Sequence, residues 1–114
     1  MYQVLSTKLY IGASATQYSQ AVSMEGGNAA FVETTVYAGV VQGYLEQSND
    51  LENWTSVSAN ANTGGTITGP TYTFWPLAAT VPTPEKNISA AYVRVKWVAT
   101  NATILACGIN ISKL

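Results

Sequence analysis

Apart from its tyrosines, the titratable chemistry of this 114-residue chain amounts to six carboxylates, five cations and one thiol, with no histidine. Without an imidazole, serine and cysteine triads, histidine general bases and the common zinc sites are excluded in their usual forms. The single cysteine, Cys107, permits neither a thiolate cluster nor an internal disulfide. It lies in the apolar run Ile104-Leu105-Ala106-Cys107, far from the basic or helix-terminal setting that activates a thiol, and reads as a buried, inert group. The carboxylates are Glu25, Glu33, Glu46, Asp50, Glu52 and Glu85. A glycosidase-like pair needs two of them facing each other across a cleft. Glu46 with Asp50 or Glu52 is the nearest approach, but these flank one tight turn with a solvated rim, where capping and a salt bridge to Arg94 explain them better. Oxygen ligands for calcium also gather at Asn49, Asp50, Glu52 and Asn53, in a spacing that matches no calcium loop. Gly64-Gly65 opens no helix, so it is no nucleotide cradle. The expectation is no catalytic residue, no cofactor and no metal.

The elements that hold these residues read as strands throughout. Val4 to Ile11 is a strand or an extended arm within residues 1–12, closed by Gly12-Ala13-Ser14. Gln17 to Met24 is a second candidate, ended by the turn Glu25-Gly26-Gly27-Asn28. Ala30 to Ala38 is rich in β-branched and aromatic residues, which suit a pleated, half-buried surface. Gly39 separates it from Val40 to Gln47, or bulges one long strand. Val41, Gly43 and Leu45 alternate with Gln42, Tyr44 and Glu46, and the chain then reverses on Ser48, Asn49 and Asp50, whose short polar side chains bond back to the backbone. Trp54 is expected to return into the core, where truncation would cost about 3 to 5 kcal/mol.

Ala59 to Thr66 has no periodicity and reads as a loop. Thr71 to Ala79 is β-like, with Tyr72, Phe74 and Trp75, but Pro70, Pro76, Pro82 and Pro84 bracket it. Proline cannot donate to a ladder, so this is an edge strand, and its exposed aromatics are the candidate partner-binding residues. Ala91, Val93, Val95 and Trp97 alternate with Tyr92, Arg94 and Lys96. Asn101-Ala102 turns the chain, and Thr103 to Ile111 runs back as an apolar strand to form a hairpin. No stretch carries helical spacing. The prediction is one domain, residues 1–114, all-β with essentially no helix: an antiparallel β-sandwich or jelly-roll-like barrel of about eight strands.

Composition narrows the role. Only 10% of residues are charged, against about 25% in ordinary soluble domains. Seven tyrosines and three tryptophans accompany that shortage, and protein interfaces share this bias against Lys, Glu and Asp and towards aromatics. An obligate assembly is therefore expected. The net charge is −1 and Lys8, Lys86, Arg94, Lys96 and Lys113 are scattered, so no nucleic-acid footprint is present. No stretch is long and apolar enough to span a bilayer, and Met1 to Lys8 is unlike a signal peptide, which predicts synthesis in a cytoplasm. Asn-X-Ser/Thr triplets begin at Asn53, Asn87, Asn101 and Asn110, and chance in a Ser/Thr-rich chain accounts for them.

Leu45-Glu46-Gln47, then Ser48-Asn49-Asp50, then Asn53-Trp54-Thr55, with the later strand Tyr92-Val93-Arg94-Val95-Lys96, resembles a pattern in small β-sandwich structural proteins of tailed bacteriophage particles. The match covers about residues 36 to 58 and 90 to 111, and Leu51 and Glu52 stand where the pattern often has Gly. The resemblance implies a virion protein of the capsid decoration or cement type, a homo-oligomer with a trimer favoured, bound to the major capsid protein of its own head. Ser48, Asn49, Asp50, Trp54 and Arg94 are then the structural turn and core, and Tyr72, Phe74 and Trp75 the contact edge. A carbohydrate- or receptor-binding module of a tail or head fibre is the alternative, with Tyr72, Trp75 and Trp97 as its ring platform.

Overall fold

Buried and outward residues alternate along Ala29–Ala38, Val40–Ser48 and Tyr92–Ala99, the period-two pattern of strands with one face in a core. The computed structural model describes residues 1–57, 63–75, 77–78, 81–82 and 88–113. Their elements are β1 (Tyr2–Ile11), β2 (Thr16–Tyr18), β3 (Val22–Ser23), β4 (Ala29–Ala38), β5 (Val40–Ser48), β6 (Thr55–Ser56), β7 (Thr63–Thr68), β8 (Thr71–Trp75), β9 (Leu77–Ala78), β10 (Val81–Pro82), β11 (Tyr92–Ala99) and β12 (Thr103–Ser112). No helix occurs among the described residues.

The first sheet runs β1-β12-β4-β8 and the second β2-β11-β5-β6, with β3 beside β2 on β11 and β7 beside β6 on β5. Every pairing is antiparallel. The two inner faces enclose one core: Ile11, Val32, Val36, Trp75, Leu105, Ile109 and Ile111 from the first sheet, Val41, Leu45, Ile67, Val93, Val95 and Trp97 from the second. Each such aliphatic side chain contributes about 1.5–3 kcal/mol by leaving water. The sandwich is therefore the architecture, and the barrel alternative falls.

The sequence suggests a hairpin between β11 and β12, but these strands lie in different sheets. Residues 100–102 carry the chain across the sandwich. An alternating strand followed by an apolar one is equally compatible with a hairpin and with an arch, since in both the apolar faces are buried. Gly39 separates the two strands as expected and is not a bulge in one long strand: it takes the chain from β4 in one sheet to β5 in the other. A third crossing, from β7 to β8, passes through Gly69. The three crossings stack: Gly69 N–H donates to Gly39 C=O and Thr100 N–H to Val40 C=O, both at 2.9 Å. Gly39 has φ +100°, and a methyl there would overlap Ala102 and Thr103 of the neighbouring arch. Only glycine meets both demands.

Of the strand and the extended arm expected within residues 1–12, the strand is found: β1 pairs with β12 from Tyr2 to Ile11 as an edge of the first sheet. Of the expected loop, residues 59–62 lie outside the described residues, whereas Thr63–Thr68 is β7, paired with β5. Glycines and threonines hide the period there, and pairing onto β5 supplies the order. The long strand expected at Gln17 to Met24 is two short ones, β2 and β3, with the Ser19 hydroxyl between them accepting from Val95 N–H at 2.9 Å. The proline-bracketed strand β8 does lie at a sheet edge.

Candidate interaction surface

Strand alternation turns one residue in two away from the core, so the register fixes what each outer face carries. On the first sheet, Tyr2 and Val4 of β1, Ala106, Gly108 and Asn110 of β12, Phe31, Glu33 and Thr35 of β4, and Tyr72 and Phe74 of β8 form adjoining rows, with Val4, Gly108, Glu33 and Phe74 in one of them. Phe74 packs edge-on against Phe31 (centroids 5.6 Å apart) and Tyr72 (5.3 Å), spacings at which aromatic quadrupoles attract. The Tyr2 ring crosses Gly108, where a methyl group would overlap it. That close approach brings the Tyr2 hydroxyl to Glu33.

Glu33 is the one carboxylate on this face among the described residues. Tyr2 donates to its Oε1 at 3.2 Å and Tyr72 to its Oε2 at 3.0 Å. Desolvation, then the hydrogen bond to Glu33, push both phenols above their ordinary range. Beside Glu33 lies a shallow depression of about 270 Å³ lined by Tyr2, Val4, Glu33, Thr35, Tyr37 and Ala106, among others. Tyr2, Val4, Tyr37 and Tyr72 are each about half exposed.

Of the expected contact residues, Tyr72 and Phe74 lie on this surface, but Trp75 does not. It is 0% exposed, donates from Nε1 to the Thr34 hydroxyl at 2.9 Å and meets Trp97 edge-on at 5.7 Å. Alternation from Tyr72 sends Trp75 inward, where Gly43 makes room: a methyl on Gly43 would come within 2.6 Å of the Trp75 ring and 2.8 Å of Trp97. A ring platform of Tyr72, Trp75 and Trp97 is thus overturned, because two of its members are core. The surface members missed from sequence were Tyr2, Phe31, Glu33 and Tyr37. Their odd-numbered positions opposite Val32, Thr34 and Val36 were the available signal within β4.

The second sheet's outer face is built differently. Arg94 pairs across the strands with Glu46, Nε to Oε1 at 2.9 Å, the salt bridge expected from sequence. Its guanidinium lies between the rings of Tyr18 (4.1 Å) and Trp54 (4.2 Å). Trp54 is therefore an outer-face ring, half-buried over Arg94, and not a core residue as its apolar bulk suggested. The turn itself follows expectation. Ser48 Oγ accepts Asp50 N–H at 3.2 Å and Leu51 N–H at 2.9 Å, and Asp50 Oδ1 accepts Glu52 N–H at 2.9 Å and Asn53 N–H at 2.8 Å. Asn49 Oδ1 accepts Ala91 N–H at 2.9 Å and ties the turn to the start of β11. Leu51 has φ +66°, the left-handed conformation for which the resembled pattern supplies glycine.

Both Asp50 oxygens are occupied, Oδ2 accepting from the Asn53 amide at 2.7 Å, so capping accounts for this carboxylate. Hydrogen bonds from the Asn53 and Glu52 backbones, then from the Asn53 and Ser48 side chains, hold it well below the usual carboxylate range. No group of three or more metal-ligating side chains occurs among the described residues. Burial pushes the Cys107 thiol up to about 11, which leaves it protonated and unreactive at neutral pH. No helix among the described residues is long and apolar enough to cross a membrane.

No family model matches the chain, and no curated protein matches it. Solved structures do. SPBc2 prophage-derived protein YomS superposes with a TM-score of 0.57 at 10% sequence identity, covering 98% of this chain and 96% of that one. PirA superposes with a TM-score of 0.52 at 9% identity, covering 94% and 93%. At such identities the likeness is one of fold. It spans nearly the full length of both partners, so the whole sandwich is the shared unit.

Proposed function

We propose that the chain is a structural protein of a phage or prophage particle that works by adhesion, in the manner of a capsid decoration or cement protein. The observation that carries this reading is the outer face of the first sheet. It is broad, aromatic and almost without charge, and surfaces of that composition are characteristic of protein interfaces. The phage setting is supported by the Ser48-to-Thr55 pattern with its Tyr92-to-Lys96 strand, and by the fold shared with a prophage-derived protein.

Under this proposal the protein assembles as a homo-oligomer, with a trimer favoured, resides in the virion, and takes the major capsid protein as its partner. The mechanism is burial of area: rings at Tyr2, Phe31, Tyr72 and Phe74 leave water on docking, and the edge strands β1 and β8 offer backbone groups to a neighbour. The test uses heads of the phage that encodes the chain, assembled without it. Purified protein is added, and bound copies are counted after sedimentation, with light scattering giving the free oligomer. Saturable binding at one or a few copies per capsomer is expected. A stable monomer that leaves the heads bare would overturn the proposal.

A further inference from the structure

We infer that the outer face of the β1-β12-β4-β8 sheet is a docking site for one arginine side chain carried on an otherwise apolar partner protein, with Glu33 as its counter-ion and Tyr2 and Tyr72 as flanking rings. The inference rests on the reading of this face as an interface, and not on whose surface docks there. Glu33 is a half-buried carboxylate in an aromatic sheet face, and among the described residues its hydrogen bonds come from the two phenolic hydroxyls and it has no salt bridge. None of the described cations forms a salt bridge with Glu33: Arg94 pairs with Glu46, Lys96 lies over Tyr44 and Lys8 over Tyr10. Hydroxyl hydrogen bonds hold the anion in place but leave its charge uncompensated. An apolar partner that covered the face would desolvate that charge, and this is costly unless the partner brings a cation.

The stereochemistry selects the cation. A carboxylate oxygen has two lone-pair sites, and here each oxygen has given one to a different tyrosine. One acceptor site remains on each oxygen, and a guanidinium fork is the donor that can fill both with two N–H bonds. Tyr2 and Tyr72 are the carboxylate's neighbours, and aromatic rings are favourable surroundings for a guanidinium. The depression beside Glu33 leaves room for the side chain. A neutral sugar would satisfy the lone pairs without compensating the charge. A second copy of this chain meeting the first through the same face would bring two carboxylates into one apolar contact.

The test titrates the full-length, 15N-labelled protein with acetyl-Gly-Arg-Gly-amide and with the same peptide carrying citrulline, a neutral shape-mimic of arginine. The arginine peptide should give saturable, millimolar shifts at Tyr2, Glu33, Thr35 and Tyr72, and citrulline should bind at least about fivefold more weakly. Glu33→Gln, which keeps an acceptor for a tyrosine, should reduce arginine binding to the citrulline level. Glu25→Gln, in the exposed turn before β4, should leave it unchanged. Equal titration by the two peptides, an unaffected Glu33→Gln, or shifts confined to the other sheet's outer face would overturn the assignment. Shifts at these residues on concentration alone would make the occupant a second copy and overturn the arginine partner. Peptide recognition in a protein that leaves bare heads unbound would sink the virion proposal and uphold this one.

Discussion

Arg94 and Glu33 are each a charged group set among aromatic rings, one on either outer face of the same sandwich, and their surroundings differ. Arg94 has its counter-ion across the strand pair, Glu46 at 2.9 Å, and is roofed by Tyr18 and Trp54. Among the described residues Glu33 has two hydroxyl donors and no counter-ion. The second sheet's face is thereby closed on itself, with Tyr44 bonding Gln42 at 3.0 Å and Gln42 bonding Thr66 at 3.3 Å to complete a surface network. The first sheet's face is left unfinished. In a chain this poor in charge the two faces thus differ in kind: one carries an internally paired ion, the other a carboxylate held by neutral donors.

The largest effect should fall on what lies beneath both faces. Trp75→Ala removes a fully buried ring, its edge-on contact with Trp97 and the donor to Thr34, and should destabilise the protein by about 3 to 5 kcal/mol. Chemical denaturation monitored by circular dichroism measures it. A loss under about 1 kcal/mol would show that the two sheets are not held together through this pair, and the two faces would then have to be treated as independent units.

Next comes the direct contrast of the two charges. Arg94→Ala strips a part-buried ion pair and two ring contacts and leaves Glu46 without its cation, so a cost of about 1–2 kcal/mol is expected. Most of that should be absent in Arg94→Ala combined with Glu46→Gln, because the stranded carboxylate is gone. Additive losses in the double variant would mean that the pair is not coupled and that the second face is less closed than its geometry indicates.

Acid supplies a smaller effect, confined to the turn that borders the second face. The folded Asp50 carboxylate is depressed, so its stabilising contribution is present above the ordinary unfolded value of about 3.9 and is lost as pH falls below it. Urea midpoints of the native chain and of Asp50→Asn, followed from pH 6 to pH 2.5, should therefore converge on acidification. A gap that stays constant over that window would mean that the turn is held by Ser48 alone.

The turn and the inner faces were legible because each rests on short-range chemistry. Ser48, Asn49 and Asp50 bond within a few residues or to the adjacent strand, and Val93, Val95 and Trp97 declare a face by alternation. What depended on the partner element was hidden. Trp54 looked like core because its bulk is apolar, yet it serves as a roof over Arg94, a residue forty positions away in sequence. Trp75 looked exposed because prolines surround it, yet two glycine hydrogens at Gly43 make its pocket. The β11–β12 arch passed for a hairpin because periodicity states which side of a strand is apolar and says nothing of which sheet it joins. Glu33 stood only as one carboxylate among six for the same reason: the tyrosines that bond it come from β1 and β8.

The smallest expected change is the most discriminating. Glu33→Gln and Tyr72→Ala alter the open face, where no buried ion pair is broken and the rings already meet water, so each should shift stability by no more than about 0.5 kcal/mol. Thermal melting of the two variants beside Arg94→Ala places all three on one scale. If the faces differ as described, the Arg94 variant melts well below the others, which remain near the native chain while losing affinity for heads or for the arginine peptide. If Glu33→Gln destabilises as much as Arg94→Ala, then Tyr2 and Tyr72 bond Glu33 to hold β1 and β8 onto the sheet, and the first face is as closed as the second. The two outcomes differ by about 1 kcal/mol, a shift of roughly 4–8 °C in a domain of this size.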